Sequence, residues 1–101
     1  MQVNVIVNAG TAELRLSGRF DFNAHREFRN AYEAVIADPL VTALNVNMGG
    51  VDYLDSSALG MLLMLRDKAG AADKALALTQ VRGQVRQVLE IVNFGKLFSI
   101  T

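Results

Sequence analysis

Asp55, Ser56 and Ser57 stand immediately before the run Ala58-Leu59-Gly60-Met61-Leu62-Leu63-Met64-Leu65. Oxygen-bearing side chains ahead of an apolar stretch mark a helix start, where the first N–H groups lack acceptors within the helix. Asp and Ser accept from those groups. Capping therefore accounts for part of the pattern. A serine hydroxyl at this place is also well set to carry a phosphate. The helix dipole and the free N–H groups stabilise an added anion there. The modification adds a charge of about −1.5 to −2. Asp55 is adjacent, and Asp21 joins it if the loop before the first helix packs at the same sheet end. Like charges would then crowd together. A partner surface built for a neutral hydroxyl would lose its fit, giving a switch with no change of fold.

Other chemistries lack their parts. A serine hydrolase of the strand-turn-helix kind wants Gly-x-Ser-x-Gly. The serines here stand in Leu54-Asp55-Ser56-Ser57-Ala58-Leu59-Gly60, without the first glycine. The only candidate base is His25, in the first turns of a predicted amphipathic helix and on its exposed phase. No Gly-x-x-x-x-Gly-Lys-Ser/Thr loop occurs, and Gly49-Gly50 reads as a turn. Asp52 and Asp55 want a third ligand to hold a metal, and the sequence offers none nearby. With 0 cysteines there are no disulfides, thiolates or cysteine-based zinc sites. The expectation is a protein that is not an enzyme and that takes no cofactor and no metal.

Elements must position the Asp-Ser-Ser cluster. Gln2 to Val7 alternates polar and apolar residues, as a strand with one buried face does. Asn8-Ala9-Gly10-Thr11 carries turn chemistry, and Ala12 to Leu16 alternates again, which predicts a hairpin. Ser17-Gly18 is expected to end that strand. A helix is predicted over Asn23 to Ala37, with Asn23 as N-cap and Asp38-Pro39 as its stop. Val41 to Val46 reads as a strand, and Asn47 to Leu54 as a loop. The helix opening at Ser56 should run to Lys68 and end near Gly70. Ala75 to Thr79 is a short, apolar and therefore central strand. A last helix spans Gly83 to Val92, buried through Val85, Val88, Leu89 and Val92, and Leu97 to Ile100 adds an edge strand. Strands alternating with helices imply an α/β fold, a small mixed sheet of four to five strands with about three helices.

At about 100° per residue, Ala58, Leu62, Leu65 and Ala69 of the second helix share one side, flanked by Leu59. That side should face the sheet. Ser56, Ser57, Gly60, Asp67 and Lys68 collect opposite, with Met64 in their midst and Met61 at the edge. Methionine beside glycine makes a soft, flat surface of the kind adaptable interfaces use.

Composition fits one such domain over residues 1–101, with 51% hydrophobic residues and 20% charged. The formal net charge is +0, so no field of one sign attracts nucleic acid or an anionic membrane. The same neutrality leaves weak homodimers open. The start Met1-Gln2-Val3-Asn4 is unlike a signal peptide, and Met61 to Leu65 is far too short to span a bilayer. A cytoplasmic location without membrane insertion is expected.

The sequence resembles the STAS family, the domain of bacterial anti-sigma-factor antagonists. Leu16-Ser17-Gly18-Arg19-Phe20-Asp21 is similar to the segment leading into the family's first helix. Leu54-Asp55-Ser56-Ser57-Ala58-Leu59-Gly60 is similar to its phosphorylation motif, and Asn93-Phe94-Gly95-Lys96-Leu97-Phe98 to its C-terminal segment. The resemblance implies that Ser56 is the phosphoacceptor, with Ser57 as the alternative. Asp21 and Asp55 would be the acidic neighbours, and Gly60, Met61 and Met64 would extend the partner-binding face. Many members have glycine after the second serine, where this chain has Ala58, on the buried phase of the helix. The partners implied are an anti-sigma factor that is also a serine kinase, and a serine phosphatase. The unmodified protein would bind the kinase, and phosphorylation would release it. The alternative implied is a STAS subunit of another assembly, a phospholipid-transport complex or a stressosome, docking through the same helix without the switch.

Overall fold

A computed structural model describes all residues, Met1–Thr101. The first strand, β1 (Gln2–Asn8), turns back through Ala9 and Gly10 into β2 (Thr11–Phe20). Both turn residues have positive φ, 52° and 84°. That is the tight hairpin whose twist matches the strands it joins. A 3-10 turn, Phe22–Ala24, leads into α1 (His25–Ile36). Then come β3 (Ala43–Leu54), α2 (Ser56–Ala71), β4 (Ala75–Thr79) and α3 (Gly83–Ile91). A second 3-10 turn, Phe94–Lys96, precedes the short β5 (Ser99–Ile100).

The sheet order is β1-β2-β3-β4-β5. Only the β1–β2 pair is antiparallel. The strands follow one another in chain order, so crossovers of one hand place all three helices on the same sheet face. Side-chain burial alternates accordingly. Ala12, Leu14, Leu16, Leu44, Val46, Met48 and Leu78 are buried under the helices. Glu13, Arg15, Asn45, Asn47 and Thr79 project from the other, open face. The buried side joins Phe20, Phe28 and Tyr32 and the apolar residues of α2 and α3 in one core cluster of 24 residues.

Four expectations are corrected. Ser17-Gly18 does not end β2, which continues to Phe20 through bulges on either side of that pair. Asn47 to Leu54 is not a loop, because β3 runs on to Leu54 alongside β2. Gly50 makes this possible. A Cβ there would lie 2.8 Å from the Leu16 carbonyl oxygen and 3.0 Å from Ser17 Cβ, so the bulged β2 can approach only a residue without one. Asn23 does not cap α1, which starts after Ala24 without a side-chain cap; the capping carboxylate is Asp21, which opens the preceding 3-10 turn by accepting from the Asn23 N–H at 3.0 Å. Val92 lies outside α3 and is exposed, since the helix ends at Ile91.

Two further differences concern the sheet edges. Val5 and Val7 of β1 are 41% and 50% exposed, because β1 is the sheet edge and α1, which packs against it, leaves these two residues uncovered. The final strand is two residues long rather than four, since Leu97 closes the second 3-10 turn.

Candidate functional site

The strands β2 and β3 end side by side, with Phe20 paired to Leu54. The next residue on each chain segment is an aspartate: Asp21 after Phe20, Asp55 after Leu54. The Asp55 N–H donates to the Phe20 carbonyl at 3.3 Å, locking the two segments together. Each aspartate is extended and caps the helical turn after it. Asp55 Oδ1 accepts from the Ala58 N–H at 2.9 Å. Asp21 Oδ1 holds the 3-10 turn, while its Oδ2 faces Arg19 Nε at 3.5 Å. The Arg19 guanidinium in turn lies over the Tyr53 ring, 3.9 Å from its centre. Arg19 and Tyr53 are opposite each other in the β2–β3 register, which explains the stacking.

Ser56 is the first residue of α2 and is exposed, and Ser57 is half-buried. Their N–H groups fall at positions that have no intrahelical acceptor. The site thus combines an accessible hydroxyl, the positive end of a 16-residue helix and two carboxylates on adjoining caps. His25 lines a surface groove with Arg26, Arg29, Asn30 and Glu33, and neither serine borders that groove.

Along α2, Ser56, Gly60 and Met64 are exposed on one face, Met64 at 46%. A Cβ on Gly60 would meet nothing within 4 Å, so the helix surface there is bare and flat. Met61 is corrected. It is only 5% exposed and belongs to the core, so it is no part of the outer face. The reason is that α2 packs against α1 and the first 3-10 turn as well as the sheet, so its buried sector is wider than one stripe. Ala58 is fully buried in the core, as its helical phase predicts.

Sequence reasoning missed two features. Phe22, beside Asp21 in the turn that packs against α2, is 71% exposed. An aromatic in a polar turn was the available signal. Arg19 and Tyr53 join the site only through the register of strands whose second halves read as turn and loop.

The family model described as "Mlab, STAS domain" matches residues 6–99. The chain belongs to the STAS-domain family. A STAS-domain containing protein of Pseudomonas aeruginosa is 44% identical over 103 residues, covering 100% of both chains. Two solved structures share the fold. An anti-sigma factor antagonist from Mycobacterium paratuberculosis aligns with TM-score 0.86 at 24% identity, over 98% of this chain and 83% of that one. The Bacillus cell fate determinant SpoIIAA in its phosphorylated form aligns with TM-score 0.75 at 22% identity, over 99% and 91%. In the STAS domain described here, no helix is long and apolar enough to cross a membrane.

Proposed function

We propose that this STAS domain is an anti-sigma-factor antagonist, a protein-interaction module regulated by phosphate and without catalysis of its own. Unmodified, it binds an anti-sigma factor that is also a serine kinase. Phosphorylation of Ser56, with Ser57 as the alternative acceptor, releases it, and a serine phosphatase resets it. The partner rests on Ser56, Ser57, Gly60 and Met64, bounded by Asp21 and Asp55. The observation that carries this reading is the exposed Ser56 hydroxyl at the start of α2, beside two capping carboxylates. A phosphate there adds a charge of about −1.5 to −2 beside two carboxylates, of which only Asp21 faces a cation, Arg19. The resulting repulsion needs no rearrangement of the core.

The test has two arms. Mass spectrometry of the native protein should find phosphate on Ser56 in some growth states. Titration with the co-purifying kinase should show Ser56→Asp binding at least about tenfold more weakly than Ser56→Ala. Equal affinities for the two variants would sink the switch.

A second reading is favoured by the description of the matching family model, which names Mlab rather than an antagonist. There the same α2 face docks within another assembly, such as a phospholipid-transport complex, and no switch operates. Stable docking with no phosphate on either serine in any growth state would select it.

A further inference from the structure

The two edges of the sheet differ. β5 is two residues long, too short to template another strand. β1 has seven residues, Gln2–Asn8, and pairs with β2 on one side only. Native edges are usually blunted by lysine, proline, a bulge or a covering loop. β1 has no charged residue and no proline, and its register with β2 is unbroken from Gln2 to Asn8. Three of its four apolar side chains are open to solvent: Val5, Ile6 and Val7 are 41%, 43% and 50% exposed, while Val3 packs partly against the core.

We propose that β1 is a homodimer interface, at which two copies of the chain pair antiparallel through Gln2–Asn8 and continue the sheet across a two-fold axis at Val5. The sequence of the strand is complementary to itself in that register. Val5 meets Val5 of the other copy, and Val3 meets Val7. These pairs lie on the helix-covered face, and β-branched cross-strand pairs favour strand pairing. On the open face Ile6 meets Asn4, and at both ends the Gln2 amide meets the Asn8 amide, which can exchange hydrogen bonds. No charge is opposed to a like charge anywhere along the strand, and the net charge of the chain, +0, sets up no repulsion between copies. A foreign strand would gain the same backbone bonds but not this pairing of side chains. The interface is independent of the function proposed above. Val5 lies opposite Leu14, and Leu14 opposite Val46. From Val46 to Leu54, at the Ser56 end, is roughly 26 Å along the strand.

Sedimentation of the full chain up to about 1 mM should show a reversible monomer–dimer equilibrium, and Val5→Lys should weaken it at least about tenfold. Ile6→Lys should weaken it as well, from the other face. Circular dichroism melts check that both variants stay folded, as their exposure allows. The chain has 0 cysteines, so a single introduced thiol reads the register. Val5→Cys should form a disulfide-linked dimer on mild oxidation. Asn8→Cys should not, since each Asn8 faces Gln2. A wild-type chain that stays monomeric throughout overturns the proposal. So does a dimer indifferent to both lysines, or cross-linking of Asn8→Cys as fast as Val5→Cys.

Discussion

At Asp55 one carboxylate serves two ends. It closes the Ala58 N–H and so starts α2, and it sets the negative charge beside Ser56. Asp55→Ala should therefore cost about 1 kcal/mol of stability through the lost cap, read as a lower urea midpoint. Ser56→Asp should behave in the opposite way. A carboxylate in the first turn of a helix is favourable by roughly 0.3–1 kcal/mol, which offsets its repulsion from Asp55 and Asp21. The variant that weakens partner binding should thus melt no lower than wild type. A fall in both stability and binding would mean that the lost affinity reflects damage rather than charge. These residues were legible in the sequence because capping is local chemistry. Met61 was not. It is buried because α2 packs against α1 and the first 3-10 turn as well as the sheet, and helical phase alone does not say how wide that buried sector is.

The elements were legible in type and order, and least so where two strands depend on each other. Asn47-Met48-Gly49-Gly50 has turn composition, yet it is strand, because β2 lies alongside and supplies its partners. The glycine that suggests a turn is the residue that lets the bulge of β2 approach. Gly50→Ala puts a methyl against the Leu16 carbonyl. That backbone cannot swing aside, so the change should destabilise by about 1–3 kcal/mol. Since Arg19, Tyr53, Asp21 and Asp55 all sit beyond this point of the β2–β3 pair, partner binding should fall with it. A variant as stable as wild type in chemical denaturation would show that β2 relaxes without strain.

On α1, Tyr32 is packed edge-on against Phe28, 5.4 Å between ring centres, and burial raises its phenol above the ordinary value of 10.0, with Glu33 adding to the rise. Folding thus holds the proton more tightly than the unfolded chain does. The stabilisation is complete below the unfolded value and is lost as pH rises through the folded one. As pH rises above about 10, wild type should therefore lose more stability than Tyr32→Phe. Parallel losses in the two proteins would remove Tyr32 as the source.

In the whole molecule, the helices share one face of the sheet, which leaves three surfaces with different characters. The open sheet face is polar, with Asn4, Arg15, Asn47 and Gln80 around a shallow bowl. The α2 end carries the charged caps and the bare helix face. The β1 edge carries uncharged, apolar strand. The last two lie on different elements, with the full width of β2 between β1 and β3. A lesion at one should leave the other unchanged, as expected for distant sites without shared partners. On the function proposed, Met64→Lys should weaken binding to the partner kinase and leave the self-association constant within about twofold of wild type. Val5→Lys should do the reverse when the kinase is titrated in solution, each protomer binding with unaltered affinity. On a surface densely coated with kinase, however, the wild-type dimer engages two copies at once and Val5→Lys only one. There the variant should dissociate faster although its solution affinity is intact, because only the second, linked encounter is lost. If Val5→Lys lowers the solution affinity as much as Met64→Lys does, the β1 edge and the α2 face belong to one surface, and a single partner covers both.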